Sequence, residues 1–136
     1  GLFILTMSLA SLGLGQQTIS EKDLVLMADS LVKQGKFTEA IEILNKVIQK
    51  NPKNAIAFYL RADSKFVIRD FDGALIDYDK AISLDPNALG IEKVYNNRAV
   101  LHSHLGETEK AFADYNKAIS VNPKYAESYN GRGNIY

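Results

Sequence analysis

Gln34-Gly35-Lys36-Phe37-Thr38-Glu39-Ala40-Ile41 returns, with substitutions, as Arg69-Asp70-Phe71-Asp72-Gly73-Ala74-Leu75 and again as Gly106-Glu107-Thr108-Glu109-Lys110-Ala111-Phe112. The alanines near the end of the three copies, Ala40, Ala74 and Ala111, stand 34 and 37 residues apart, and Pro52, Pro86 and Pro123 keep the same two intervals. A second small position, Ala28, Ala62, Ala99 and Gly133, is spaced 34, 37 and 34, so a fourth copy opens at Ala126 and breaks off in mid-pattern at Tyr136. A fixed period of this length marks a stack of supersecondary units, none of which can bury its apolar face alone.

Within each unit the apolar residues follow a helical period. Leu24, Met27, Ala28 and Leu31 fall on one stripe, and Ala40, Ile41, Leu44, Val47 and Ile48 on another, so a unit reads as two amphipathic helices. The pattern predicts an all-α chain with helices over 22–34, 38–50, 55–68, 72–84, 92–105, 109–121 and 124–135. Small side chains at Ala28, Ala40 and Val47, and at their equivalents, let paired helices approach closely while larger residues fill the gaps. Thr38 and Asp72 are expected to cap second helices, Ser20 with Asp23 resembles a capping box, and Gly35 and Gly106 suit helix ends. Asn51, Asp85 and Asn122 each precede proline, whose ring pushes them out of the helical region and ends the second helices. The second unit carries three extra residues, Leu89-Gly90-Ile91, which either prolong a helix or loosen the joint and change the local pitch.

These positions resemble the tetratricopeptide repeat. Its pattern is matched by Leu24, Ala28, Leu31, Ala40, Leu44, Val47 and Pro52, then by Phe58, Ala62, Lys65, Ala74, Tyr78, Ala81 and Pro86. Tyr95, Ala99, His102, Ala111, Tyr115, Ala118 and Pro123 form the third set, and Tyr129, Gly133 and Tyr136 a partial fourth. Only Lys65 departs in kind. The resemblance covers residues 21–136, divided as 21–54, 55–91, 92–125 and a partial 126–136. It implies a right-handed superhelical solenoid of antiparallel helix pairs, with a concave face built mainly from the first helices, and a non-catalytic module that binds a peptide or protein segment.

In that family the groove is lined by non-core positions of the first helices, which here are Tyr59, Asp63 and Phe66, then Lys93, Asn96, Val100 and Ser103, then Asn130 and Asn134. Amides can donate and accept toward an extended backbone, and Tyr59 and Phe66 offer apolar anchors; the same side chains would also serve as an ordinary solvated face. One subclass clamps the C-terminal carboxylate of chaperones with Lys and Asn, but the positions required are Val25, Asp29, Leu60, Lys93 and Asn97, three of them unsuitable. One repeat along they become Tyr59, Asp63, Asn97, Glu127 and Gly131, where Asp63 and Glu127 would repel a carboxylate. That clamp is rejected in both registers.

Other chemistry is poorly supported. Sixteen Lys plus Arg balance sixteen Asp plus Glu, which leaves no excess positive field for nucleic acid or anionic lipid. His102 and His104 point about 200° apart around a helix and cannot share a metal, and His102 occupies an aromatic core slot. Asp77 with Asp79, or Asp70 with Asp72, lack a nucleophile, base or phosphate loop nearby, so no catalytic site and no cofactor are expected. Tyr78, Tyr95, Tyr115 and Tyr129 recur at repeat positions as packing residues.

Residues 1–20 contain no Asp, Glu, Lys or Arg. The apolar stretch from Leu2 to Gly15 falls short of the roughly 20 residues that span a bilayer and has the length of a signal-peptide core, with Gly13 and Gly15 at cleavage-type spacing. The reading is a signal-peptide-like segment over 1–15, a linker over 16–20 and an exported (periplasmic or secreted) product; the alternative is a native apolar helix packed on a cytoplasmic solenoid. The chain has no cysteine and thus no disulfide framework. Two rivals to a standalone adaptor remain at this point: part of a larger sensor or enzyme whose active domain lies beyond 136, and a homodimerisation module pairing through open end faces.

One further pattern concerns two columns of the repeat. Met27, Arg61, Arg98 and Arg132 occupy one position, and Ile43, Asp77 and Asp114 another. Apolar goes with apolar and Arg with Asp, so Arg61 is expected to meet Asp77, and Arg98 to meet Asp114, inside their own hairpins; the register Asp77–Arg98 and Asp114–Arg132 would join successive repeats instead.

Overall fold

The structure, a computed structural model, describes residues 18–135. The helices are α1 (Glu21–Lys33), α2 (Phe37–Lys50), α3 (Ala55–Val67), α4 (Phe71–Leu84), α5 (Ile91–His104), α6 (Thr108–Val121) and α7 (Ala126–Asn134), and no strand occurs among the described residues. The signal-peptide-like segment over 1–15, Gln16, Gln17 and Tyr136 lie outside the described residues. Expected and observed helix limits agree within two residues, the largest difference being at α7, where extended Tyr125 holds the N-cap.

Ends of helices follow the chain's local chemistry. Ser20 caps α1 by accepting from the Asp23 amide at 3.1 Å, and its hydroxyl donates to the Asp23 carboxylate at 2.6 Å. Asn54 caps α3 through the Ala57 amide at 2.9 Å. Thr38 and Asp72 are not caps, because α2 and α4 each start one residue before them; Asp70 caps α4 through the Gly73 amide, and α2 follows Lys36 with no side-chain cap. The turns after α1, α3 and α5 share one left-handed residue, Gly35 (φ 76°), Arg69 (φ 69°) and Gly106 (φ 76°). In each, the next amide reaches back to a last-turn carbonyl: Lys36 to Leu31, Asp70 to Lys65 and Glu107 to His102. Asn51, Asp85 and Asn122 leave the helical region before their prolines, as expected.

The alanine columns are contact points: Ala28, Ala40, Ala62, Ala74, Ala99 and Ala111 are wholly buried where paired helices cross. Leu44, Tyr78 and Leu101 fill the space between them. First helices touch first helices along the stack, α1 with α3, α3 with α5 and α5 with α7, whereas α2, α4 and α6 do not meet one another among the described residues. A stack that is close along one row and open along the other must curve, and the first helices form its inner wall.

The second and third hairpins are locked by the same ion pair. Arg61 Nε and Nη2 donate to the two oxygens of Asp77 at 2.7 and 2.8 Å, and Arg98 does the same to Asp114 at 2.7 Å for both bonds. The within-hairpin register is therefore the real one. Each arginine also reaches the preceding repeat through Nη1, Arg61 to Asn45 at 2.8 Å, Arg98 to Asp79 at 2.8 Å and Arg132 to Asn116 at 2.9 Å. Its guanidinium lies over an aromatic ring three residues back, Phe58, Tyr95 or Tyr129. Lys65 Nζ stands 2.9 Å from Asp77, which explains why a cation can occupy a slot otherwise filled by an apolar or aromatic residue.

At the joint between α4 and α5 the three-residue expansion behaves as a loop and not as extra helix. Leu89 is fully exposed, Gly90 takes φ 83°, and Ile91, expected within the insertion, begins α5 with its side chain in the core. Asn51 and Asn54 donate to Glu21 across the first joint, and Asn122 donates to Glu92 across the third. Ala55 and Asp85 occupy the corresponding places at the second, where no such bond forms and α4 packs on α5 more sparsely than α2 on α3.

Candidate functional site

Among the described residues, clefts open along the inner wall beside the first helices. One, about 630 Å³, lies between α1 and α3 against Val25, Leu26, Ile56, Tyr59 and Leu60, with Glu21, Lys22 and Asp29 at its edge. A second, about 240 Å³, opens beneath the Leu89 loop and shares Ile56 and Tyr59 with the first. A third, about 280 Å³, lies between α1, α3 and α5 and is walled by Val32, Phe37, Phe66, Val67 and Val100, with Asp63, Tyr78 and Asn97 as its polar part. The walls are mostly apolar, and Leu26, Ile56 and Leu89 expose large side chains around them.

At the middle of the wall is one hydrogen-bonded group. The Tyr78 hydroxyl donates to Asp63 Oδ1 at 2.5 Å, and Asn97 Nδ2 donates to the same oxygen at 3.0 Å and toward the Tyr59 hydroxyl at 3.3 Å. Burial pushes the Asp63 carboxyl above its ordinary pKa, although hydrogen bonds from Tyr78, Asn97 and Tyr59 pull the other way. Burial, followed by the Asp63 charge, raises the Tyr59 and Tyr78 hydroxyls as well. Burial also raises Tyr125, aided by Glu127, Glu92 and Asp63, so several carboxylates share this field.

The expected groove residues divide. Tyr59, Asp63 and Phe66 sit half-buried on α3 in the clefts, and Val100 faces them from α5. Lys93 is exposed at the edge of the second cleft, and Asn130 and Asn134 are exposed on α7. Ser103 is exposed but shares a hydrogen bond with Tyr115. Asn96 is withdrawn: it is buried, and its carbonyl accepts from Ser128 at 3.1 Å, tying α5 to α7. Asn97, Val25, Leu26, Val32, Phe37, Ile56 and Val67 were absent from the expected lining. Val25 shares its repeat position with Tyr59, so the repeat column alone could have found it.

Three of the four carboxylates considered for catalysis are engaged in the fold. Asp77 is held by Arg61 and Lys65, Asp79 by Arg98, and Asp70 caps α4. His102 is buried and its Nδ1 meets Glu107 at 2.6 Å. Among the described residues no group of three or more His, Asp or Glu could hold a metal, and no helix is long and apolar enough to cross a membrane.

Two sequence-family models, both described as tetratricopeptide repeat, match residues 25–88 and 92–125. Tetratricopeptide repeat protein 6 from Homo sapiens is 34% identical over 107 residues, 79% of this chain but 20% of its own length. The chain thus spans about a fifth of that curated relative. Among solved structures, MamA superposes with a TM-score of 0.79 at 25% identity, over 86% of this chain and 67% of that one. The first repeat domain of Spaghetti (RPAP3), bound to the HSP90 peptide SRMEEVD, superposes with a TM-score of 0.78 at 27% identity, covering 85% of this chain and 91% of the other.

Proposed function

This chain belongs to the tetratricopeptide repeat family, and from that premise we propose that it is a non-catalytic interaction module holding an extended segment of another protein along its inner wall. The observation that carries this reading is the series of apolar clefts along α1, α3 and α5, two of which share Ile56 and Tyr59. Amides and hydroxyls at Asn97 and Tyr59 stand beside them, already oriented by Asp63. Preorganised polar groups among apolar walls give orientation at little entropic cost.

The Spaghetti domain supports the same use of the fold, since it holds a chaperone-derived peptide. A terminal carboxylate does not suit this chain, because Asp29 and Asp63 stand where positive or amide groups would be needed. The uncharged apolar stretch over 1–15 supports export of the module, and the intact mass of the protein from its native host would show whether that stretch has been removed.

Binding is tested with randomised heptapeptides followed by fluorescence anisotropy. Ile56→Glu and Val100→Glu alter exposed groove positions and should abolish binding, while Ile76→Glu on exposed α4 should leave it intact. Equal effects of all three substitutions would overturn the reading.

A further inference from the structure

Asp63 is a carboxylate at the wall of an apolar cleft, and among the described residues no Lys, Arg or His stands within salt-bridge distance of it. Three other aspartates of the scaffold have a cation beside them. Asp77 and Asp114 face arginines, and Asp29, at the same repeat position as Asp63, pairs with Lys33. An ionised group withdrawn from water without a counter-charge is costly, so its retention asks for a reason.

The scaffold does not supply that reason. In the third repeat Val100 takes the position of Asp63, yet Tyr115, the equivalent of Tyr78, is still buried. In the first, Leu44 takes the tyrosine position and is fully buried. A buried second-helix residue therefore packs with or without a carboxylate opposite it. What Tyr78 and Asn97 do is fix Asp63 in place from α4 and α5. Both bonds converge on Oδ1, and even with the Tyr59 hydroxyl the carboxylate, which has about four acceptor sites, keeps capacity for another donor.

We propose that the cleft between α1, α3 and α5 receives a Lys or Arg side chain of the bound segment, its charged head on Asp63 and its aliphatic stem along Val32, Phe66 and Val100. A long cationic side chain matches this chemistry, because it carries a methylene stem for an apolar wall and a charge for the polar end. Nearby Tyr59, whose hydroxyl shares the Asp63 network, offers a ring on which a cation can stack. This specificity rests on the groove reading above and goes beyond it by naming the chemistry of one subsite.

The test uses fluorescein-labelled heptapeptide pools with Arg, Lys, Leu, Glu or citrulline fixed at the centre and random flanks. The Arg and Lys pools should bind at least about tenfold more tightly than the Leu and Glu pools, a difference of about 1.4 kcal/mol. Citrulline, which keeps the shape of arginine without its charge, should lose that advantage on the unmodified protein. Asp63→Asn should lower the Arg and Lys pools to the level of Leu while leaving the Leu pool unchanged. If all pools bind alike, or citrulline equals arginine, the cationic subsite is wrong and the groove stands. If no pool binds, both are wrong.

Discussion

The first and third hairpins solve one packing problem with opposite chemistry. In the first, Met27 and Ile43 lie in an apolar cluster with Ala28, Leu44 and Val47. In the third, Arg98 and Asp114 occupy the same two places, with side chains 19% and 9% exposed, and a second carboxylate, Asp79, comes from the preceding repeat. Burial works against the Arg98 charge, yet Asp114 and Asp79 outweigh it and hold its pKa above the ordinary guanidinium value. Both are helix hairpins closed by the same left-handed glycine turn, which teaches that the position demands a matched pair and not a particular polarity. What the charged version adds is reach, since only an arginine extends to the helix of the previous repeat.

The most damaging way to break the comparison is to unmatch one pair. Arg98→Met alone should destabilise by about 3 kcal/mol, because Asp114 is then buried without its partner. Adding Asp114→Ile should return stability to within about 1 kcal/mol of the original, with Asp79 free to turn to water. Urea unfolding of the two singles and the double provides the cycle, and a double variant no better than the worse single would contradict the pairing.

Transplanting the charged pair sharpens the same point. Met27→Arg with Ile43→Asp should be tolerated at a cost of about 1–2 kcal/mol, whereas Ile43→Asp alone should cost about 3 kcal/mol, since it buries an unpaired charge. Melting temperatures at several salt concentrations would further separate the hairpins, the transplanted version becoming salt-sensitive.

The turns offer a smaller contrast. Gly35 and Gly106 fill the left-handed position in the first and third repeats, and Arg69 fills it in the second. A Cβ on Gly35 would meet nothing within 4 Å, so Gly35→Ala should cost about 1 kcal/mol purely through its backbone angle. Arg69→Gly should gain about 0.5 kcal/mol, the relieved strain being partly offset by glycine entropy and the lost stacking on Phe71.

The smallest effect separates Asp63 from Val100. Because burial raises the folded-state pKa of Asp63, its contribution is fully present below the unfolded carboxylate pKa and is lost as pH rises through the folded value. Asp63→Asn should therefore melt higher than the parent at pH 7, and the gap should close toward pH 4. A gap that widens on acidification would contradict this sign.

The repeat columns made the helices legible, because proline, alanine and the apolar stripe are each local consequences of the same packing. Thr38 and Asp72 were misplaced because α2 and α4 start one residue earlier, a distinction that residue type alone does not encode. Arg69 gave no warning of its left-handed backbone, which arginine seldom adopts. The Arg–Asp register was legible because two columns changed together; a third, Leu31, Lys65 and His102, changes with them and explains Lys65. The groove was only partly readable. Tyr59 and Asn96 share a repeat position, yet Asn96 is buried against Ser128 while Tyr59 lines a cleft, and that difference arises from what the next helix brings to it.

The direct test of the central claim, that the inner wall is the binding surface, is a structure of the chain bound to the tightest heptapeptide from the library. The account predicts an extended peptide across α1, α3 and α5, touching Ile56, Tyr59, Phe66 and Val100. A peptide seated instead on the outer faces of α2, α4 and α6 would contradict it.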